Sequence, residues 1–214
     1  MRYIAFDFDG TIADSNFAIC EAMERACIRH GVTYIGDSEF TQYIGQDLNV
    51  CIQKSTGVTL PQEKLDGIAR SYRETFKYEL VKPFLGIEEV LSECKASGDV
   101  LSISTSRRRK SLTFLLQNFK FNKYFDFAVC GDEVEHPKPY IDTLNTVAKN
   151  FGCMSNELMV IGDTTWDIDM TNNVGGIAIG VTWGSHSESA LLDAGASLTV
   201  DTPEELQKYF AGQL

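Results

Sequence analysis

Tyr3-Ile4-Ala5-Phe6-Asp7-Phe8-Asp9-Gly10-Thr11 decides the reading of this chain. Tyr3–Phe8 is a short apolar run of β-favouring residues, and Asp9-Gly10 supplies a turn. The run is therefore a buried strand whose carboxyl end carries two acids. Comparable runs recur at Val100–Thr105, Phe125–Cys130, Met159–Gly162 and Ile177–Val181. Helical patterns lie between them. Leu112, Leu115, Leu116 and Phe119 follow i, i+3, i+4, i+7 spacing, and further helices are expected near Glu88–Lys95 and Ile141–Asn150. Strands alternating with helices at this spacing imply βαβ units, hence an α/β fold with a doubly wound parallel sheet.

Residues from about 16 to 82 break that rhythm. Cys20, Met23 and Cys27 share one helix face, and Ile68, Tyr72, Phe76 and Leu80 recur every four residues. Glycines and Pro61 punctuate the stretch, and it contains no convincing buried strand. It reads as an all-helical insert, residues 16–82, in an α/β core made of residues 1–15 and 83–214. Pro83–Gly86 is the return linker. The aromatic residues of the insert (Phe40, Tyr43, Tyr72, Phe76, Tyr78) are expected to be core rather than a stacking surface.

Four clusters carry candidate chemistry. In the first, Asp7 and Asp9 project into the crevice beyond the strand's carboxyl end, where open α/β sheets bind ligands. Carboxylates this close repel one another, and a hard, oxygen-ligated cation such as Mg²⁺ relieves the repulsion. The second is Ser104-Thr105-Ser106, hydroxyls ahead of a helix that suit an N-cap, an anion site or both. The third is Lys138, held between Pro137 and Pro139 on a stiff backbone, which suits a fixed positive charge. The fourth is Gly162-Asp163-Thr164-Thr165-Trp166-Asp167. It adds Asp163 and Asp167, one helical turn apart, at the end of another buried strand.

The formal net charge of −11 argues against general nucleic-acid or anionic-membrane binding. It also requires that any site for an anion be locally positive. In the basic run Arg107–Lys110, Arg107 is the residue expected to face the crevice. No apolar run approaches the roughly 18–20 residues of a membrane span. Asp7 follows Met1 too closely for a signal-peptide core, so a cytoplasmic location is expected. The six cysteines form no CxxC pair and sit among apolar neighbours, so they are expected to be reduced thiols packed as small hydrophobes. The three histidines have no zinc-ligand spacing.

These four clusters, in this order, resemble the motifs of the haloacid dehalogenase superfamily, and the likeness spans essentially the whole chain. It implies a Rossmann-like core and makes the helical insert a small cap of the first (C1) type. Gly180–Gly184, Ala194–Ala196 and Val200–Leu206 look most like the phosphoglycolate phosphatase-like branch. The resemblance makes Asp7 the nucleophile that forms an aspartyl-phosphate. Asp9 becomes the acid that protonates the leaving alkoxide and then activates water, with a crowd of acids expected around it. Mg²⁺ would lie on Asp7, the Asp9 backbone carbonyl and Asp163, with Asp167 helping directly or through water. Thr105, the Ser106 amide and Lys138 would bind phosphoryl oxygens, and Gly10 would let the backbone approach them. Dehalogenase members lack an acid at the position of Asp9, so carbon–halogen cleavage is disfavoured.

The implied activity is hydrolysis of a small soluble phosphate monoester. Phosphoglycolate, a nucleoside monophosphate and pyrophosphate are all open as substrates. A phosphomutase of the β-phosphoglucomutase type shares all four motifs and is the alternative. No pattern in the sequence speaks to oligomeric state.

Overall fold

The computed structural model describes residues 1–213. The expected strand begins as foreseen but ends early: β1 spans Tyr3–Phe6. Beyond it the chain curls, because the Phe8 carbonyl accepts from the amides of Ile12 and Ala13 and the Gly10 amide donates to Ala13. A two-residue strand β2 (Ala13–Asp14) follows, then helices α1 (Asn16–Arg29), α2 (Asp37–Phe40), α3 (Leu48–Thr56) and α4 (Gln62–Thr75). Strand β3 (Lys82–Pro83) pairs antiparallel with β2. The outward and return chains of the insert are thus joined by a small ribbon that no apolar pattern announces.

The remainder alternates as expected: α5 (Ile87–Ala96), β4 (Val100–Thr105), α6 (Arg109–Phe119), β5 (Phe127–Cys130), α7 (Asp142–Phe151), β6 (Leu158–Gly162), α8 (Thr165–Val174) and β7 (Ile177–Val181), then α9 (Glu188–Asp193), β8 (Leu198–Val200) and α10 (Pro203–Phe210). The six long strands form one parallel sheet in the order β5-β4-β1-β6-β7-β8. Both faces of β1 are buried, as parallel sheets require. Ile4 and Phe6 point into a core shared with α5, α6 and the insert, while Ala5 meets Leu144, Val147 and Met170 on the other face. Five of the six cysteines are buried and all six are free. No helix among the described residues is long and apolar enough to cross a membrane.

One helix is shorter than its periodicity. The repeat Ile68, Tyr72, Phe76, Leu80 predicts a helix through residue 80, but α4 stops at Thr75 and Phe76 turns to an extended backbone. The Thr75 hydroxyl takes the Ser71 carbonyl, a local competitor of the helical ladder. Phe76 then packs 5.0 Å from the Tyr78 ring, with the Arg107 guanidinium 5.0 Å from its own centroid. Tertiary packing outweighs the four-residue rhythm here.

Candidate active site

Sheet register assembles the site. Phe6 aligns with Ile103 of β4 and with Ile161 of β6. Asp7, one residue beyond Phe6, therefore emerges between Thr105 and Asp163, each two residues beyond those partners. This is the switch point of the sheet, where the chain leaves β1 for one side and later returns to the other.

Asp7, Asp163 and Asp167 are buried and offer carboxylate oxygens within 4.8 Å of one another. Lys138 reaches into the group. Its Nζ lies 2.7 Å from Asp7 Oδ1 and 2.6 Å from Asp167 Oδ1, with the lysine side chain 1% exposed. Asp167 is fixed because it closes the first turn of α8. Its Oδ2 accepts from the Thr164 amide and, at 2.6 Å, from the Thr164 hydroxyl. Asp163 accepts from the Thr11 hydroxyl at 3.0 Å and the Ser185 amide at 2.8 Å.

Burial and the neighbouring acids raise Asp7 well above the usual carboxylate range despite Lys138. Burial, with Asp167 adding to it, pushes Asp163 up to about 7. Asp7 Oδ2 is buried with no hydrogen-bond partner. An orphaned carboxylate oxygen among three carboxylates, a donor set of oxygens alone, suits a hard divalent cation. One ammonium against three acids leaves negative charge for such an ion to balance.

Asp9 departs from expectation. Its carboxylate leaves the acidic cluster and pairs with Arg107, whose Nε lies 2.9 Å from Asp9 Oδ2. Ser15 Oγ donates to Asp9 Oδ1 at 2.7 Å, and Arg107 Nη1 donates to Ser111 at 2.6 Å. The crowd of acids expected at Asp9 gathers at Asp7 instead, because Arg107 competes for Asp9. Arg107 does face the crevice as expected, but it arrives already neutralised. Arg108 and Arg109 pair on the surface with Asp132 and Glu133.

The second cluster also divides. Thr105 is buried, and its hydroxyl accepts from the Arg107 amide at 3.1 Å. Ser106 Oγ donates to the Gly45 carbonyl of the insert. Ser104 turns away to Thr143. None of them caps α6, whose cap residue is Arg108.

Two glycines hold the acids in place. Gly10 has φ of 82°, and a Cβ there would strike the Asp163 carboxylate. A Cβ on Gly184 would strike the same carboxylate from the β7–α9 loop. Trp183 and Gly184 belong to the stretch Gly180–Gly184 already noted for its resemblance, but no motif announces the contacts made there: the Trp183 indole donates to the Thr11 carbonyl, and the amide of the next residue, Ser185, donates to Asp163. Gly184→Ala is expected to cost about 1–3 kcal/mol of stability by overpacking. The loss should be read in chemical denaturation at neutral pH, and an unchanged midpoint would contradict the close approach.

A cavity of about 910 Å³ runs from Asp7, Asp9, Thr105 and Ser106 to the inner face of the insert. Phe40 and Phe76 are buried as expected, yet they line this cavity together with Tyr72 and Tyr78. Tyr43 packs against the core, with Lys54 over its ring, and does not line the cavity.

Comparisons with known proteins point to phosphatase relatives of the same fold. The chain is 28% identical over 208 residues to the probable phosphatase IndB of Dickeya dadantii, covering 95% of this chain and 90% of that protein. It is 24% identical to the phosphoglycolate phosphatase of Vibrio parahaemolyticus, covering 99% and 96%. The crystal structure of a predicted phosphatase from Clostridium acetobutylicum superposes with a TM-score of 0.89 at 26% identity, covering 99% and 98%. Residues 4–181 match the model of the haloacid dehalogenase-like hydrolases. The chain belongs to the haloacid dehalogenase-like hydrolase family and resembles its phosphatase members.

Proposed function

We propose that this phosphoric monoester hydrolase is a Mg²⁺-dependent phosphatase that cleaves a small, soluble phosphate monoester through an aspartyl-phosphate on Asp7. The observation that carries the proposal is Asp7 itself: one oxygen on Lys138, the other unpartnered and buried beside Asp163 and Asp167.

Asp7 attacks phosphorus, and the bond from phosphorus to the ester oxygen breaks. Asp9, in its protonated form, gives its proton to the leaving alkoxide and becomes the carboxylate that Arg107 pairs. It then takes a proton from the water that attacks the phosphoaspartate, which frees phosphate and restores Asp7. Arg107 and Ser15 fix the position of the Asp9 carboxylate. Thr105, the Ser106 amide and Lys138 hold the phosphoryl oxygens, with Gly10 allowing close approach. Asp7, Asp163, Asp167 and the Asp9 backbone carbonyl are the groups that would hold Mg²⁺. When bound, the ion supplies positive charge against the carboxylates and the phosphoryl group. The Asp9 carboxylate serves proton transfer rather than the ion, since it lies on Arg107.

Residues 16–82 act as the cap. It closes over the cavity and excludes water, and its contact from Gly45 to Ser106 belongs to the closed arrangement. A cytoplasmic small-molecule substrate, with no nucleic-acid or membrane partner, completes the proposal.

Phosphate release from a panel of esters, with Mg²⁺ or with excess chelator, tests it. The panel should contain phosphoglycolate, nucleoside monophosphates, pyrophosphate and glucose 1-phosphate. Many turnovers of free phosphate are expected with Mg²⁺ and background release with chelator. Isomerised sugar phosphate without release would instead make the protein a mutase.

A further inference from the structure

The cavity is too large and too apolar for the smallest candidate substrates. At about 910 Å³ it lies near the top of the range for sites that enclose whole cofactors or drug-sized ligands. Its far walls are Met23, Phe40, Leu48, Tyr72, Phe76 and Tyr78, all from the insert. A two-carbon acid or pyrophosphate anchored at Asp7 would leave the half-buried Leu48, Tyr72 and Tyr78 of this wall facing water.

One polar group stands out on the same walls. Gln46 Nε2 is buried and has no hydrogen-bond partner. An unpaired buried amide is costly, and a ligand acceptor at that point would satisfy it. Tyr72 also lines the cavity, and burial pushes its phenol upward, so its hydroxyl remains both donor and acceptor. A wall of aromatic rings with one amide and two phenols matches a planar, heteroatom-bearing ring. A bare sugar has no flat face to set against these rings, while the polar side chains that also line the cavity, such as Asp47, Ser111 and Asp132, can take the hydroxyls of a ribose.

The charges narrow the choice further. The buried cation lining the cavity, Arg107, is already held by Asp9 and Ser111. The remaining basic side chains of the lining, Arg73, Arg108 and Lys110, are exposed. They can draw a phosphate dianion toward the opening, but they offer no buried partner for a substrate carboxylate beside the phosphate.

We propose that the leaving group is a nucleoside. The site takes a nucleoside monophosphate with its phosphate at Asp7, its base against the aromatic wall of Tyr72, Phe76 and Tyr78, and a base carbonyl on the Gln46 amide. This rests on the phosphatase function proposed above and specifies its substrate class.

The test is kcat/KM with Mg²⁺ for uridine 5′-monophosphate, phosphoglycolate and glucose 6-phosphate, on the intact protein and on Gln46→Met and Tyr72→Phe. The nucleotide is expected to lead phosphoglycolate by at least about tenfold. Either substitution is expected to lower that ratio by about tenfold, through KM more than kcat. Tyr72→Phe keeps the ring, so it supplies a reading should Gln46→Met fold poorly. A preference for phosphoglycolate or the sugar phosphate overturns the inference and leaves the phosphatase standing. An unchanged ratio in both variants overturns the assignment of the base subsite. No release from any ester overturns the proposed function itself.

Discussion

Asp7→Asn is expected to lower the turnover of every phosphate ester by about 10⁴-fold or more while the protein remains folded. The substitution removes the anionic oxygen that attacks phosphorus and changes almost nothing else. Asn Oδ1 can accept from Lys138 where Asp7 Oδ1 accepts at 2.7 Å. The new amide occupies the place of an oxygen that has no partner. Burial raises the Asp7 carboxyl, so the ionised group is under electrostatic strain in the metal-free fold, and a neutral isostere relieves it. Stability in chelator should therefore hold or increase as activity disappears. Phosphate release and a denaturant titration on the same sample separate the two effects. Equal rates for variant and parent would remove Asp7 from the chemistry. Lost activity together with a collapsed fold would make the residue structural only.

How much of this was legible in the sequence depends on the range of the interaction. Strand-end acids were legible because a buried strand has a strong local signature, and parallel sheets place their ligands at one edge. Asp7, Asp163 and Asp167 converge for that reason, although Asp7 and Asp163 are 156 positions apart in the sequence. Lys138 was legible from the rigidity of its two flanking prolines. The Arg107–Asp9 pair was not. Both residues were placed at the crevice, but which acid takes which cation depends on side-chain directions that spacing does not encode. Gly184 closes the noted stretch Gly180–Gly184, but its role and that of Ser185 were hidden because they consist of an absent Cβ and a backbone amide, which spacing does not encode. The early end of α4 failed for the opposite reason: the periodicity was real, but a ring stack and a guanidinium had the stronger claim on Phe76. The β2–β3 ribbon is two residues per strand, too short for any alternation to appear.

Lys138→Met is expected to destabilise the metal-free protein by about 3–5 kcal/mol at neutral pH and to lower activity by about 10³-fold. The side chain is buried, and it is the cation that touches both Asp7 and Asp167. Removing it leaves three buried carboxylates facing one another. The dependence on pH distinguishes this cause from simple loss of packing. Both acids raise Lys138 above its ordinary range, so it stays charged throughout working pH and its own titration contributes no slope there. The slope comes from the acids. Asp163 sits up at about 7 and Asp7 is also raised, so between about pH 4, the unfolded value, and pH 7 the folded state binds more protons than the unfolded state. Stability of the metal-free protein therefore falls as pH rises through that window. Without Lys138 the acids are harder still to ionise, and the fall is steeper. The variant should lie close to the parent near pH 4–5 and diverge toward pH 7–8, with Mg²⁺ recovering part of the difference. Denaturant titrations in chelator at both ends of the range read this directly. A destabilisation of the same size at every pH would assign Lys138 a packing role and would take away the electrostatic account of the site.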